Sequence, residues 1–244
     1  MPKVIAVFGA GTGLGISVAR RFGREGFHVA LVARRRDRLD ALVEELAGEG
    51  IEAVGFTADL SQPTEVPALV SGIRDRLGRI DVVAYGPISG DLSFTPAAAL
   101  DAASLERLVP LLLLTPVEVV QAVLPEWTER GDGAFLLAQG YSAAQPMPHL
   151  SGLGPVMAAT RNYLYSLHTE LADRGIYAGA LTIASLIARS EATVKAGAAF
   201  DSVDGPRPTV VDPDDLAEHY WDMYTKRDRV EQFHPAPPAP PAAA

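Results

Sequence analysis

Apolar runs of strand length alternate along this chain with stretches whose apolar positions recur at helical spacing. Strands without in/out alternation are buried on both faces, and amphipathic helices between them supply the cover. The two together predict a parallel sheet with helices on both sides. Strands are expected at 3–8, 28–33, 52–57, 81–85, 134–138, 177–183 and, shorter, 229–233. Helices are expected over 13–25, 37–48, 63–77, 104–129, 155–173 and 213–224. The last has a defined start, with Asp212 as N-cap, Pro213 at the first helical position and Asp215 in the first turn. Pro110 and Pro116 fall inside the fourth helix, where a residue without an N–H removes a backbone bond, so a kink is expected there. The fold class is α/β: one doubly wound domain over residues 1–234, with a seven-stranded, mostly parallel sheet. Residues 188–211, rich in Gly, Ala, Ser and Pro, read as a mobile lid over a pocket. Residues 235–244 are Pro and Ala only and read as a disordered tail.

Composition narrows the partners. With 244 residues and 48% hydrophobic content the chain can bury a sizeable core, and no linker interrupts the pattern. A net charge of -9 and a pI near 5.0 disfavour nucleic acid or an anionic membrane as the main partner. Cysteine is absent, which excludes disulfides and thiolate chemistry. The opening residues form a strand pattern instead of a basic segment followed by an apolar signal core. No run is read as long enough to span a bilayer, so a cytoplasmic location is expected.

Candidate chemistry begins at Gly9-Ala10-Gly11-Thr12-Gly13-Leu14-Gly15, between the first strand and the first helix. Glycines let a backbone approach a pyrophosphate closely, and the N–H groups opening the helix favour negative charge. A mere tight turn is the alternative. The position between a buried strand and a helix, with a second strand close behind, favours nucleotide binding.

The order of elements, this glycine spacing and further motifs together resemble the short-chain dehydrogenase/reductase family. The further motifs are Ala58-Asp59-Leu60, Gln121-Ala122-Val123-Leu124-Pro125, Glu170-Leu171 and Gly175-Ile176. The resemblance covers nearly all of the chain before the tail. It implies a Rossmann-type domain in which Gly9, Gly13, Leu14, Gly15 and Leu60 hold a dinucleotide and Asp59 contacts the adenine ring. It also implies pairing of the fourth and fifth helices into a homodimer or homotetramer; no metal is expected. An acidic residue ending the second strand would bind the ribose hydroxyl of NAD, but Ala33 stands there, followed by Arg34, Arg35 and Arg36. Guanidinium forks suit a phosphate, so NADP(H) is the expected cofactor, with Arg34 on the 2′-phosphate and Arg35, Arg36 and Arg38 read as a solvated helix start.

At the positions where the family carries its Asn, Ser, Tyr and Lys, counting from the matching flanks gives Leu112, Gly140, Leu153 and Met157. Carbonyl reduction needs a proton delivered to the developing alkoxide, and leucine has none to give. General acid catalysis is worth about 10²–10⁴ in rate, and lost oxyanion stabilisation costs roughly a further 10²–10³. Ordinary reductase activity is therefore expected to be weak or absent. Remaining polar candidates are Gln139 and Tyr141 as donors to a substrate carbonyl and His149 as acid or base. Ser142 and Tyr85 lie nearby, Ser151 reads as a helix cap, and Arg161 as a helix-surface or interface residue. Three functions follow: a repurposed enzyme performing a non-redox cyclisation, isomerisation or elimination of a small organic substrate; an NADP(H)-dependent oxidoreductase with a substitute proton donor; or a non-catalytic dinucleotide-binding or partner module.

Overall fold

The computed structural model describes residues 1–88, 94–191, 193–194 and 208–236. Apolar Val4–Phe8 (β1) is buried throughout and leads through the glycine turn into Leu14–Gly23 (α1). His28–Ala33 (β2), Arg36–Gly48 (α2) and Ala53–Thr57 (β3) follow, then a 3₁₀ turn at Pro63–Glu65, Val66–Leu77 (α3) and Val82–Tyr85 (β4). The second half runs Ala102–Val109 (α4), a π-turn at Pro110–Leu114, Thr115–Arg130 (α5), Gly133–Gly140 (β5), Leu153–Leu171 (α6) and Ile176–Ile183 (β6). It closes with Leu186–Ile187 (β7), Val210–Val211 (β8), Pro213–Lys226 (α7) and Glu231–His234 (β9).

Seven strands form one sheet in the order β3-β2-β1-β4-β5-β6-β9, and every pairing in it is parallel. The last strand, expected at 229–233, lies at Glu231–His234 and pairs in parallel with β6, so among the described residues the sheet has no antiparallel edge. Alternate residues along each strand feed two cores. Ile5, Val7, Val29 and Leu31 pack with α1, α2 and α7, whereas Ala6, Phe8, Val83 and Tyr85 pack with α3, α5 and α6. The strand order reverses between β1 and β4, which opens a crevice at their carboxyl ends.

Near Pro110, where a kink is expected, the structure shows a π-turn within a continuous helix. The N–H of Thr115 bonds the carbonyl of Pro110, a five-residue step that carries the helix past the residue that cannot donate. Carbonyls loosened by the wider turn find side-chain donors: the Tyr85 hydroxyl donates to the Leu111 carbonyl at 2.5 Å, and the Thr160 hydroxyl to that of Leu112. The helix thus continues for 29 residues, Ala102–Arg130, with a mean hydropathy of 1.8 in its most apolar stretch, a third of which is buried. By length and composition it could cross a membrane, contrary to the expectation from unbroken apolar runs. Glu118, Gln121 and the prolines break the run without lowering the average enough. Its Val119, Val120, Val123 and Trp127 pack into the core.

Of the expected lid, the structure describes the base. Leu186 and Ile187 pair with Val210 and Val211 in a separate parallel ribbon that sequence patterning missed. Residues 192 and 195–207 of the lid and 237–244 of the tail lie outside the described residues.

Candidate functional site

Gly9 adopts φ +90°, and a Cβ there would lie 2.6 Å from the Pro87 Cα, so the turn after β1 abuts the turn after β4. A Cβ on Gly11 would meet nothing within 4 Å, whereas one on Gly13 would lie 2.9 Å from Ser190 Cβ. Helix α1 starts from Gly13 with no side-chain cap and no acidic residue in its first turn. Its opening N–H groups are therefore a suitable anion seat. Leu14 and Gly15 line a recess with Val7, Gly9, Ala84, Gly86 and Tyr220.

Across this turn lies the arginine cluster. Arg36 is taken up by Asp40 on the same helix, at 2.9 Å. Arg35 and Arg38 instead reach Glu191, far along the chain, the former at 3.1 Å. Arg34 is exposed and has no ion pair among the described residues. Asp59 spends one carboxylate oxygen on the Ser61 N–H and hydroxyl, at 3.0 and 2.8 Å. Leu60 is buried, and its carbonyl accepts the Thr115 hydroxyl at 2.7 Å, tying this loop to α5.

At the other end of the crevice the side chains are apolar. Leu112, Leu153 and Val156 are buried in one cluster, against which Leu108, Leu150 and Met157 pack. A Cβ on Gly140 would lie 3.4 Å from Met157 Cε and 3.8 Å from Ser142 Oγ. Of the four positions counted from the motifs, 112, 153 and 157 thus share one cluster and 157 reaches 140, and none of their side chains carries a transferable proton.

Of the polar candidates, Gln139 is 5% exposed and turns inward, because alternate residues of β5 face α6. Its amide nitrogen donates to Thr182 Oγ1 at 2.8 Å and to Glu231 Oε1 at 3.2 Å. Tyr141 opens the 3₁₀ turn Tyr141–Ala143 and sets its ring edge-on to Phe233, 6.2 Å away. His149 is half-buried at φ +66° in the loop before α6. No hydrogen bond joins any two of the three among the described residues. Ser151 is not the cap of α6, which starts at Leu153 from Gly152. Tyr85 is buried, and its hydroxyl is taken up by the Leu111 carbonyl.

Sequence reasoning missed Glu231, whose side chain is 4% exposed. It accepts hydrogen bonds from Arg161 Nε and Nη2, at 2.9 and 2.6 Å, and from the Tyr165 and Thr182 hydroxyls. Burial would push this carboxyl up, but the hydrogen bonds from Arg161, Thr182 and Tyr165 outweigh it and hold the group below its usual range. Burial and then the adjacent Glu231 push the Tyr165 hydroxyl up to about 12. Arg161, read from sequence as surface or interface, is thus half of an internal ion pair. A lone acid in the last predicted strand was the available signal.

The family model for short chain dehydrogenase matches residues 3–195. The chain belongs to that family. The chain is 31% identical over 178 residues to glycine betaine reductase ATRR of Emericella nidulans, spanning 71% of this chain and 14% of that protein. Over the same share of this chain it is 26% identical to dehydrogenase/reductase SDR family member 4 of Sus scrofa, covering 62% of it. It spans less than two thirds of the length of these relatives. Among solved structures, L-sorbose reductase from Gluconobacter frateurii, complexed with NADPH and L-sorbose, superposes with a TM-score of 0.82 at 21% identity. That match covers 95% of this chain and 94% of the reductase. A Pseudomonas aeruginosa PAO1 short chain oxidoreductase described as containing an atypical catalytic center gives 0.81 at 18%, covering 95% of each chain. At such identities the likeness establishes the shared fold. Among the described residues, no group of three or more His, Asp or Glu is placed to hold a metal ion.

Proposed function

We propose that this short-chain dehydrogenase binds NADP(H) and performs a non-redox conversion of a small organic substrate: a cyclisation, isomerisation or elimination that leaves the dinucleotide unchanged overall. The observation that carries the reading is the single apolar cluster of Leu112, Leu153 and Met157 beside Gly140, in place of any acid or base. Gly9, Gly13, Leu14 and Gly15 would hold the pyrophosphate, Asp59 and Leu60 the adenine, and Arg34, Arg35 and Arg38 the 2′-phosphate. The glycine turn, uncapped helix and guanidinium donors fit such a group. When bound, the dinucleotide supplies a hydride donor or acceptor. The protein's own contribution is shape: apolar walls exclude water and hold one reactive conformer. Ser142 and Tyr141, at the carboxyl end of β5, would orient a substrate oxygen. On the outer side of the long helix, Leu114 is 45% exposed and Leu113 and Val117 half-buried, a surface suited to pairing with a second copy.

The second reading is an NADP(H)-dependent carbonyl oxidoreductase using Tyr141 or His149 as proton donor. It is favoured by the reductase names of the relatives and by the Ser142 hydroxyl, 3.8 Å from where a side chain at 140 would begin. One experiment separates the two. The protein is mixed with NADPH and a panel of ketones and aldehydes, and nicotinamide absorbance is followed. Binding without oxidation is expected. Combining Leu112→Asn, Gly140→Ser, Leu153→Tyr and Met157→Lys should then raise carbonyl reduction about 10²–10⁴-fold. Brisk NADPH oxidation by the unaltered protein, abolished in Tyr141→Phe or His149→Ala, would overturn the first reading for the second.

A further inference from the structure

The segment that follows β7 forms a strap across the glycine turn, and its fixings are distributed along it. The Ala188 N–H bonds the Val211 carbonyl at 2.9 Å, continuing the β7–β8 ribbon. Arg189, at φ +60°, sends its guanidinium to Asp212 and Asp214 at the start of α7, at 2.7 and 2.9 Å. The Arg189 carbonyl accepts the Thr12 hydroxyl at 2.6 Å, and Ser190 sits against Gly13. The next side chain, Glu191, is thereby delivered to Arg35 and Arg38, with one carboxylate oxygen toward each. Two guanidinium groups converging on one anion is the arrangement a phosphate dianion would use.

We propose that Glu191 competes with the 2′-phosphate of NADP(H) for Arg35 and Arg38, so that nucleotide binding unclasps the strap and Glu191 sets how strongly NADP(H) is preferred over NAD(H). The proposal rests on the NADP(H) reading above and adds to it a gate made by this chain's own residues. Glu191 and Arg35 are each 54% exposed and Arg38 40%, so the clasp is a solvated pair that a dianion can displace. A nucleotide with a free 2′-hydroxyl has nothing to offer the guanidinium groups and leaves the clasp closed. Sign and reciprocity follow. Whatever holds Glu191 on the arginines weakens NADP(H), and NADP(H) must in turn loosen the strap by the same factor.

The test uses calorimetric titration of the full chain and its Glu191→Gln variant with NADPH, NADH, adenosine 2′,5′-bisphosphate and 5′-AMP. Amide hydrogen exchange over 186–191 is followed alongside. The variant should bind NADPH and the bisphosphate about five- to tenfold more tightly, the scale of an exposed double ion pair, with NADH and 5′-AMP unchanged. In the unaltered protein the bisphosphate, and not 5′-AMP, should speed exchange over 186–191, and the variant should show that faster exchange without ligand. Binding with the same NADPH-to-NADH ratio in both proteins would overturn the gate and leave the cofactor reading standing. Silence from all four ligands with both proteins would overturn the cofactor reading and the gate with it.

Discussion

Gly9 has two independent reasons to be glycine. Its φ of +90° is a conformation that a side chain strains, and a Cβ there would fall 2.6 Å from backbone atoms of Pro87. Gly9→Ala should therefore destabilise the fold by about 2–4 kcal/mol, adding backbone strain to overpacking against backbone atoms that cannot step aside. Urea unfolding checks this, and Gly11→Ala, which fills open space, should change the midpoint little. Both roles belong to a turn whose spacing was visible in the sequence, because a glycine run between strand and helix has few other uses. Glu191 was not visible. It lies in a segment without periodicity, and only folding brings it to arginines some 150 residues earlier.

The α4–π–α5 element shows where periodicity stops being informative. Two prolines announce a disturbance near residue 110, but whether the helix breaks or widens depends on donors elsewhere in the chain. Tyr85 from β4 and Thr160 from α6 supply them. Thr160 is 2% exposed, and its hydroxyl faces the carbonyls of Leu112 and Val156. Thr160→Val keeps the shape and removes the donor, leaving the Leu112 carbonyl buried without it, which costs about 1–3 kcal/mol. Thermal unfolding should show a drop of about 2–4 °C per kcal/mol for a chain of this size. The turn also sets Leu112 beside Leu153, so the same variant should loosen the apolar cluster on which the proposed function rests. A variant with unchanged melting temperature would show that the wider turn needs no help from α6.

Across the whole molecule, the parallel sheet was legible because strands buried on both faces leave continuous apolar runs. The joint that secures its edge was not. Strand β9 is short and only half-buried, and it is fastened through Glu231, which gathers Arg161 and Tyr165 from α6, Thr182 from β6 and Gln139 from β5. Polar residues from four elements meet there, and a single-sequence pattern gives no reason to bring them together. Glu231→Gln would leave the Arg161 guanidinium without its countercharge. The expected loss is about 2–3 kcal/mol, below the ~3–5 of a fully enclosed pair because 28% of the Arg161 side chain stays exposed. The pH dependence has a definite sign. Folding depresses the Glu231 carboxyl below its ordinary value, so its stabilisation is fully present above the unfolded carboxylate range and is lost as pH falls through the folded value. Urea midpoints measured from neutral pH downward should accordingly fall in the unaltered protein across the acidic side of the carboxylate range. In Glu231→Gln the curve should start lower and fall less there, the two converging at the acid end. Parallel curves would mean that the acid loss resides in other carboxylates, and that Glu231 secures β9 by geometry more than by charge.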